Sequence, residues 1–408
     1  MSGQRRLWLS GGLLAPLAGA VARRIAAHFA LPVATRVGVQ AAALLAARAA
    51  SGAASGAASG ADRVPASPEH GAAPDKPARA FAPVVPGRRM AFPADHGAHP
   101  EFRTEWWYIT GWIEVEGIET GIQITFFRSG TGHSDANPSR FAPTQLLLAH
   151  AALARAADGH LRHDQRSARL GFGDTRMSTA DTALTLRGWQ LVRQADDRYF
   201  ARITARDFEL DLSFQPRAAP MLQGELGFSR KGPGEAQASY YYSRPQLAVG
   251  GTIHLDGRRL PVRAGRAWLD HEWSSEVLDA QAVGWDWLGL NLDDGSSLMA
   301  FQIRRRDGTT LWSHARWLPA DTPALQPQFE VLRRWRSARS GGVYPVAMRV
   351  GVGGRRFELQ PLFDDQELDA RASTGGFYWE GAVRVIEQGR AVGRGYLELT
   401  GYAAALRL

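Results

Sequence analysis

Phe208–Phe214 (FELDLSF) alternates apolar and polar side chains at every position, and Ile122–Phe126 (IQITF) does the same. A period of two is that of a half-buried strand. Asp-Gly pairs such as Asp256-Gly257 and Asp307-Gly308 separate these runs, and Asp-Gly between alternating runs is a strong hairpin signal. No long helical period occurs from residue 91 onward, where 323–340 is the only segment of note for a helix or loop insert. The sequence therefore predicts an all-β chain of antiparallel hairpins, arranged as sandwiches or closed barrels.

A weak internal repeat divides this β region in two. Trp106–Trp112 (WWYITGW) is followed by a hairpin and by Ile124–Arg128 (ITFFR), while Trp285–Leu290 (WDWLGL) is followed by a hairpin and by Ala300–Arg304 (AFQIR). In each copy a Trp-led strand turns into an apolar strand that ends on Arg. This duplication predicts two tandem antiparallel barrels, residues 91–248 and 249–408, with the boundary just after the YYYSRP run.

Residues 1–90 have a different composition. Arg5-Arg6 precedes the apolar run Gly11–Ala22, which is typical of an export signal with a twin-arginine-like pair. Residues 51–60 (SGAASGAASG) are low-complexity linker. We expect a disordered leader and a periplasmic product; the alternative is an uncleaved, membrane-anchored amphipathic leader. Neither apolar run in the leader reaches the ~18 residues of a spanning helix.

Charge and cysteine content exclude several classes of function. Residues 1–90 hold 11 of the 48 basic and three of the 40 acidic residues, which leaves 37 of each in 91–408. The folded part is therefore electrically neutral and lacks the broad basic footprint of a nucleic-acid-binding protein. The chain has no cysteine, which excludes disulfides, thiol catalysis and thiolate metal sites.

The most informative segment for function is 95–111 (DHGAHPEFRTEWWYITG). Aromatic bulk beside ionisable groups is typical of an apolar small-molecule pocket with a few polar groups. The alternative interpretation is a Trp-rich strand in which Arg103 and Glu105 form a structural ion pair. Clusters of the same kind recur downstream, at 240–245, 267–273, 284–287, 377–381 and 395–402. Their repetition indicates the walls of one cavity.

Other motifs are less informative about function. The pairs His96-x-x-His99 and His160-x-x-His163 have metal-like spacing but no third ligand in register, and the Gly-x-Gly runs lie among hairpins, where no nucleotide loop is expected. We therefore expect neither metal nor cofactor. Glu380 and Glu398 could pair across the second barrel, although a glycosidase interpretation rests on composition alone.

These motifs together resemble the AttH-type, lipocalin-like family that includes carotenoid 1,2-hydratases (hydroxyneurosporene synthases). The segments that carry the resemblance, within residues 91–408, are 99–108 (HPEFRTEWWY), 241–243 (YYS), 268–273 (WLDHEW) and 284–287 (GWDW). The resemblance implies two calycin-like barrels behind an export signal. It also implies an apolar ligand: hydratase members add water across the terminal double bond of acyclic carotenoids, and distant fungal relatives fold an apolar polyketide.

The resemblance places Asp270 at the position of the hydratases' suspected proton donor. The hydratase motif is closer to Gly-Tyr-x-Asp-x-Asn, whereas this chain has AWLDHE at 267–272. The His/Trp pair of hydratases falls here on Tyr241 and Ser243. The AttH branch, which is linked to transporter-type gene clusters, is the better match, so association with an ABC transporter is a further expectation.

Alkene hydration needs a strong acid and stabilisation of a carbocation. A carboxylic acid kept protonated by apolar surroundings can donate the proton, and Trp and Tyr faces stabilise the cation. We therefore expect Asp270 to be the donor near Tyr241, with Glu272 or His271 orienting the water. The alternatives are that Asp270 satisfies a barrel-end turn and that Glu272 pairs with an arginine.

The expected site lies in one cavity where the barrels meet. Its catalytic residues are Asp270, Glu272 and Tyr241, and its ligand-binding residues are His99, Arg103, Glu105, Trp106, Trp107, Tyr242, Trp268, Trp273, Trp285 and Trp287. Arg103 is expected to hold Glu105 ionised. Two classes of function stay open: an enzyme that hydrates or cyclises an isoprenoid or polyketide, and a non-catalytic carrier of a lipid-like ligand.

Overall fold

The protein is described by a computed structural model that covers residues 80–134, 137–139, 141–276, 278–319 and 325–406. The expected export signal and most of the linker lie outside these residues. Within them the chain is almost entirely β, with short 3-10 turns at Ala94–His96 and Ala156–Asp158. The described part contains no helix with the length and apolar character needed to span a bilayer.

The first sheet has 14 antiparallel strands. They are β1 (Thr104–Val115), β2 (Ile118–Gly130), β3 (Gln145–Ala154), β4 (Arg162–Arg169), β5 (Thr175–Met177), β6 (Ala183–Leu186), β7 (Trp189–Arg193), β8 (Tyr199–Thr204), β9 (Phe208–Gln215), β10 (Met221–Leu222), β11 (Phe228–Arg230), β12 (Ala238–Leu255), β13 (Arg258–Pro261) and β14 (Ala264–Glu276). Their order is β4-β3-β2-β1-β14-β12-β9-β8-β7-β6-β5, and β10, β11 and β13 pair with β12. Because β4 and β3 also contact β6, the sheet curls into a nearly closed barrel.

The second sheet has nine strands and forms a half-barrel. They are β15 (Ala282–Leu292), β16 (Ser297–Arg305), β17 (Thr310–Leu318), β18 (Gln328–Arg336), β19 (Val343–Val352), β20 (Arg355–Pro361), β21 (Glu367–Asp369), β22 (Phe377–Glu387) and β23 (Arg390–Leu399). The order is β17-β16-β15-β23-β22-β20-β19-β18, with β21 paired to β22. The all-β, two-sheet expectation is thus confirmed.

Two details of the predicted layout differ from the structure. Residue 248 lies inside β12, which runs unbroken from Ala238 to Leu255, and the chain changes sheets only between Glu276 and Ala282. The predicted boundary follows the YYYSRP run, but a bulge between Arg244 and Leu247, with Gln246 at φ 56°, carries the strand past Pro245.

Residues 323–340 contain β18 and no helix in their described part. Its apolar side chains, Phe329, Val331 and Trp335, are half-buried and pack on the core of the second sheet, whereas arginines fill half of the exposed positions. The period of two was hidden by this arginine-rich outer face.

Buried apolar side chains form three groups: one inside the first barrel, one on the concave face of the second sheet, and one between the two sheets. We call the third the inter-sheet layer. Its largest buried members are Tyr108, Trp112, Tyr241, Trp268, Trp287, Phe301 and Tyr396. Strands β1, β2, β12 and β14 contact β15, β22 and β23 across it, so this layer is where chemistry-bearing residues of both sheets meet.

Candidate functional site

Strand alternation divides the expected site residues between the two faces of the first sheet. Trp107, Tyr242 and Trp273 belong to the core inside the barrel, whereas Tyr241 and Trp268 belong to the inter-sheet layer. Successive side chains of a strand point to opposite faces, so neighbours in sequence are separated. The expectation of one shared cavity is therefore wrong: Glu105 and Trp107 lie on the opposite face from Asp270.

Asp270 is the centre of the group in the inter-sheet layer. It is 3% exposed and accepts three hydrogen bonds: from the Tyr241 hydroxyl to Oδ2 (2.6 Å), and from Ser243 Oγ (2.5 Å) and Trp268 Nε1 (2.6 Å) to Oδ1. Trp287 Nε1 in turn donates to the Tyr241 oxygen (3.1 Å). This web fixes the carboxyl among aromatic rings from both sheets.

Burial raises the pKa of Asp270 to about 7, against the lowering effect of its bonds from Ser243, Tyr241 and Trp268. Both the acid and the carboxylate are then populated near neutral pH, which is what a proton donor that must be recharged requires. A carboxyl group offers about four acceptor positions. Three are filled here, which leaves the second lone pair of Oδ2 to carry the proton.

Glu272 lies beside Asp270 in the same layer, opposite Tyr241 on β12 and Trp106 on β1. Its Oε1 is 2.9 Å from Lys231 Nζ, and both side chains are buried. The ammonium lies 4.6 Å from the centroid of the Tyr241 ring and 4.3 Å from that of Phe301. Glu272 is thus half of a buried ion pair, although its partner is Lys231 and not an arginine.

Two further carboxyls reach the layer from the second sheet. Glu380 on β22 and Glu398 on β23 are register partners on adjacent strands, whereas the sequence suggested a pair across the second barrel. Trp285 Nε1 donates to Glu398 (3.0 Å) and the Tyr108 hydroxyl donates to Glu380 (2.7 Å). Loss of water raises the pKa of Glu398 to about 7, helped by the charges of Asp270 and Glu272.

Burial raises the pKa of Glu380 as it does that of Glu398, and more strongly. It is 1% exposed, and burial followed by the charge of Glu398 raises its pKa well above the ordinary value. Its Oε1 has no hydrogen-bond partner among the described residues. Trp285, Trp106 and Glu398 are only half-buried, so the layer is open to solvent on that side.

The inner face of the barrel holds a different arrangement, centred on Glu105. This carboxylate accepts hydrogen bonds from Arg128 Nε (2.8 Å), His99 Nδ1 (2.7 Å) and His271 Nε2 (2.9 Å). Despite complete burial, the bonds to the two histidines and the charges of His99 and Arg128 hold its pKa far below the ordinary value. Arg103 is exposed, with its guanidinium 5.7 Å from the Phe81 ring centroid, so the expectation that it holds Glu105 ionised is wrong.

The histidines of this cluster differ in charge. His99 has Asp95 on Nε2 (3.0 Å) and Glu105 on Nδ1; although burial opposes it, these partners raise its pKa. Burial lowers the pKa of His271 to about 4, so it is neutral. Both rings are fixed by stacking, His99 on Trp273 at 3.8 Å between centroids and His271 on Trp107 at 4.5 Å.

His99, Glu105 and His271 are also a possible set of metal ligands, since one donor atom of each lies within 4.8 Å of the others. These atoms already bond one another, and the second Glu105 oxygen is occupied by Arg128. A cation would have to displace the His99 proton and share the carboxylate with a guanidinium. The residues therefore fit a proton-sharing ionic network better than a metal centre.

Sequence reasoning missed Lys231 and Arg128. Lys231 could have been singled out from the sequence, because only two of the 48 basic residues of the chain are lysines. A lysine in a chain that otherwise uses arginine indicates a position with a specific structural requirement. Arg128 closes the first copy of the sequence repeat, as Arg304 closes the second. In the structure Arg304 likewise donates from Nε to a buried carboxylate, that of Asp286 (2.9 Å).

Comparison with known proteins places this arrangement in a family. The AttH-like family model matches residues 83–402. A crystal structure of an AttH protein from Nitrosomonas europaea is 52% identical, covers 79% of this chain and 100% of its own, and superposes with a TM-score of 0.74. Kievitone hydratase from Nectria haematococca shares the fold at 15% identity, with 81% of this chain and 98% of its own covered and a TM-score of 0.59. A search of curated proteins gave no match. The chain belongs to the AttH-like family.

Proposed function

We propose that this protein is a hydro-lyase that adds water to a carbon–carbon double bond of an apolar isoprenoid- or lipid-like molecule bound in the inter-sheet layer. The observation that carries the proposal is Asp270, a buried carboxyl with a pKa of about 7 surrounded by Trp268, Tyr241 and Trp287. That kievitone hydratase has the same fold makes hydration the reaction to test first.

The chemistry balances with the residues present. The acid form of Asp270 transfers its Oδ2 proton to one alkene carbon, and the positive charge develops on the other. Each indole or phenol face within reach stabilises such a cation by ~0.5–2 kcal/mol when desolvated. Water then adds to the cation, and its surplus proton returns to the Asp270 carboxylate directly or through Glu398, so that the net reaction is alkene plus water to alcohol.

The neighbouring groups suit this cycle. After proton transfer the Asp270 carboxylate keeps its three donors, which limits the cost of leaving a buried charge. Lys231 neutralises Glu272, so the Asp270 carboxylate formed by proton transfer is the one negative charge that develops near the carbocation. Glu380 stays protonated and offers an O–H donor to a polar end of the ligand.

The test begins with the ligand. Mass spectrometry of small molecules that co-purify with the protein identifies the apolar class, and candidate alkenes are then incubated with protein in ¹⁸O-labelled water. We expect labelled alcohol from the wild type, with kcat/KM falling above about pH 7 as Asp270 ionises.

Asp270→Asn keeps the shape of the side chain and removes the acid. Its turnover should fall by roughly 10²–10⁴-fold, the usual worth of a positioned general acid, with ligand affinity nearly unchanged. Asp211→Asn, at an exposed position of β9, is the matched control. Undiminished turnover in Asp270→Asn would remove Asp270 from the mechanism, and tight binding without any turnover in the wild type would favour the non-catalytic carrier.

A further inference from the structure

An open surface pocket with a volume of about 410 Å³ lies on the first barrel, and its lining shares no residue with the inter-sheet layer. We call it the His96 pocket. It is lined by Phe92, His96, Arg193, Asp197, Arg244 and residues 216–220. Its volume is within the ~300–1,000 Å³ of ordinary small-molecule sites.

The charges that line the pocket do not cancel. Arg193, Arg217 and Arg244 contribute three guanidiniums against the single carboxylate of Asp197. Asp197 is bound by Arg244 through Nη1 (2.6 Å) and Nη2 (2.5 Å) and by Arg193 through Nε (2.8 Å), while Arg193 Nη1 also reaches Asp181 (2.7 Å). Arg217 is exposed and pairs with no carboxylate of the described residues. A surplus positive charge therefore faces the pocket.

His96, which lines the pocket, is affected by the same positive charges. It is 2% exposed, and burial, followed by the charges of Arg193 and Arg244, lowers its pKa to about 3 although Asp197 opposes them. Its Nδ1 is engaged with the Tyr242 hydroxyl at 2.7 Å. The guanidiniums of Arg193 and Arg244 are thus close enough to His96 to disfavour a further positive charge on its ring.

The remaining wall is apolar. Phe92 is 39% exposed, with its ring edge-on to Tyr242 at 5.2 Å between centroids, and Pro216, Ala218, Ala219 and Pro220 complete the apolar part of the lining. The two prolines restrict the backbone at both ends of this short segment. A lining that combines guanidiniums with apolar surface suits a molecule with a charged end and an apolar body.

We propose that the His96 pocket binds a small organic anion, a carboxylate or a phosphate monoester attached to a compact apolar group. Arg217, whose guanidinium is exposed, faces the anionic end, because guanidinium matches both oxyanions in geometry and charge. Arg244 is already bonded to Asp197 through Nη1 and Nη2 and contributes only its charge. The apolar body lies between Phe92 and the 216–220 wall. This site is independent of Asp270 and of hydration.

Binding is measured on the full chain by calorimetry and by NMR of the histidine ring signals, with phenylacetate, benzyl phosphate and the neutral benzyl alcohol as probes. We expect millimolar or tighter affinity for at least one anion, binding of benzyl alcohol at least about tenfold weaker, and a shift of the His96 signals. The stronger of the two anions identifies the carboxylate or the phosphate class.

Arg217→Gln should weaken anion binding about five- to tenfold, in line with one charge-assisted contact at a pocket rim, and it should fold normally because Arg217 is exposed. Arg202→Gln, an exposed arginine of β8 outside the pocket, is the matched control. Equal affinity for benzyl alcohol, equal behaviour of the two variants, or anion binding that leaves His96 unshifted would each overturn the proposal.

Discussion

Replacing Arg128 with methionine keeps an unbranched apolar stem at a buried position and removes the guanidinium. Arg128 is fully buried and donates three hydrogen bonds, to Glu105 (2.8 Å), the Phe102 carbonyl (2.9 Å) and Gln145 (2.8 Å). Removing one partner of a buried ion pair costs about 3–5 kcal/mol. Because His99 continues to neutralise Glu105, we expect the lower end, about 3 kcal/mol.

The measurement is urea unfolding, followed by both fluorescence and circular dichroism so that coincident curves justify a two-state treatment. Arg103→Met is the matched control, since Arg103 is two residues from Glu105 in sequence but exposed. It should change the free energy of unfolding by no more than about 0.5 kcal/mol.

A double-mutant cycle tests whether Glu105 pairs with Arg128 or with Arg103. Combined with Glu105→Gln, Arg128→Met should show a coupling energy within the range of 0.5–3 kcal/mol that contacting residues reach, near its upper end, whereas Arg103→Met should be additive within about 0.5 kcal/mol. If Glu105 couples to Arg103 as strongly as to Arg128, the assignment of the buried pair is wrong.

Two further predictions concern the inter-sheet layer. Gly121→Ala should destabilise the protein by about 1–3 kcal/mol in the same unfolding assay, because the new Cβ would lie 2.6 Å from the Tyr396 hydroxyl. Gly250→Ala is the control and should not destabilise the protein to this extent, since the nearest heavy atom to its Cβ is 3.5 Å away. Equal effects of the two substitutions would contradict close packing of the sheets. Asp270 has a folded pKa of about 7 against an ordinary 3.8, so between those values the folded state holds one more proton and this group's contribution to stability falls by about 1.4 kcal/mol per pH unit as pH rises. The difference in unfolding free energy between wild type and Asp270→Asn should show that slope, and a difference that does not change with pH would refute the raised pKa.

The fold was largely predictable because alternation and turn residues are local properties. The hairpins, the all-β class and the grouping of Trp268, Asp270 and Glu272 on one face of a strand all follow from a period of two. The boundary near 248 was predicted from the internal repeat, but it lies inside β12, because a bulge beside Pro245 keeps that strand continuous. Whether a strand continues through a bulge depends on its pairing with strands that are distant in the chain, and the local sequence does not show that pairing.

The site was harder because strand register is not local. Tyr108 lies opposite Asp270, and Glu105 lies opposite Trp273, although β1 and β14 are far apart in sequence. Shifting that register by one residue would have put Glu105 on the face of Asp270. The sequence could therefore supply the residues of two clusters without showing that they lie on opposite faces of one sheet.

Two buried glutamates show how partners decide charge in this protein. Glu105 is bound by Arg128, His99 and His271 and stays ionised, with a lowered pKa. Glu380 is equally buried, but its bonded partner is the Tyr108 hydroxyl, and burial and the charge of Glu398 raise its pKa, so it stays protonated. A carboxyl that is ionised at neutral pH cannot donate a proton, so the Glu105 carboxylate is not a proton donor. Asp270, Glu380 and Glu398 of the inter-sheet layer, whose bonded partners are neutral hydroxyl and indole groups, have raised pKa values and can hold a proton near neutral pH. Glu272 differs from them because Lys231 pairs with it.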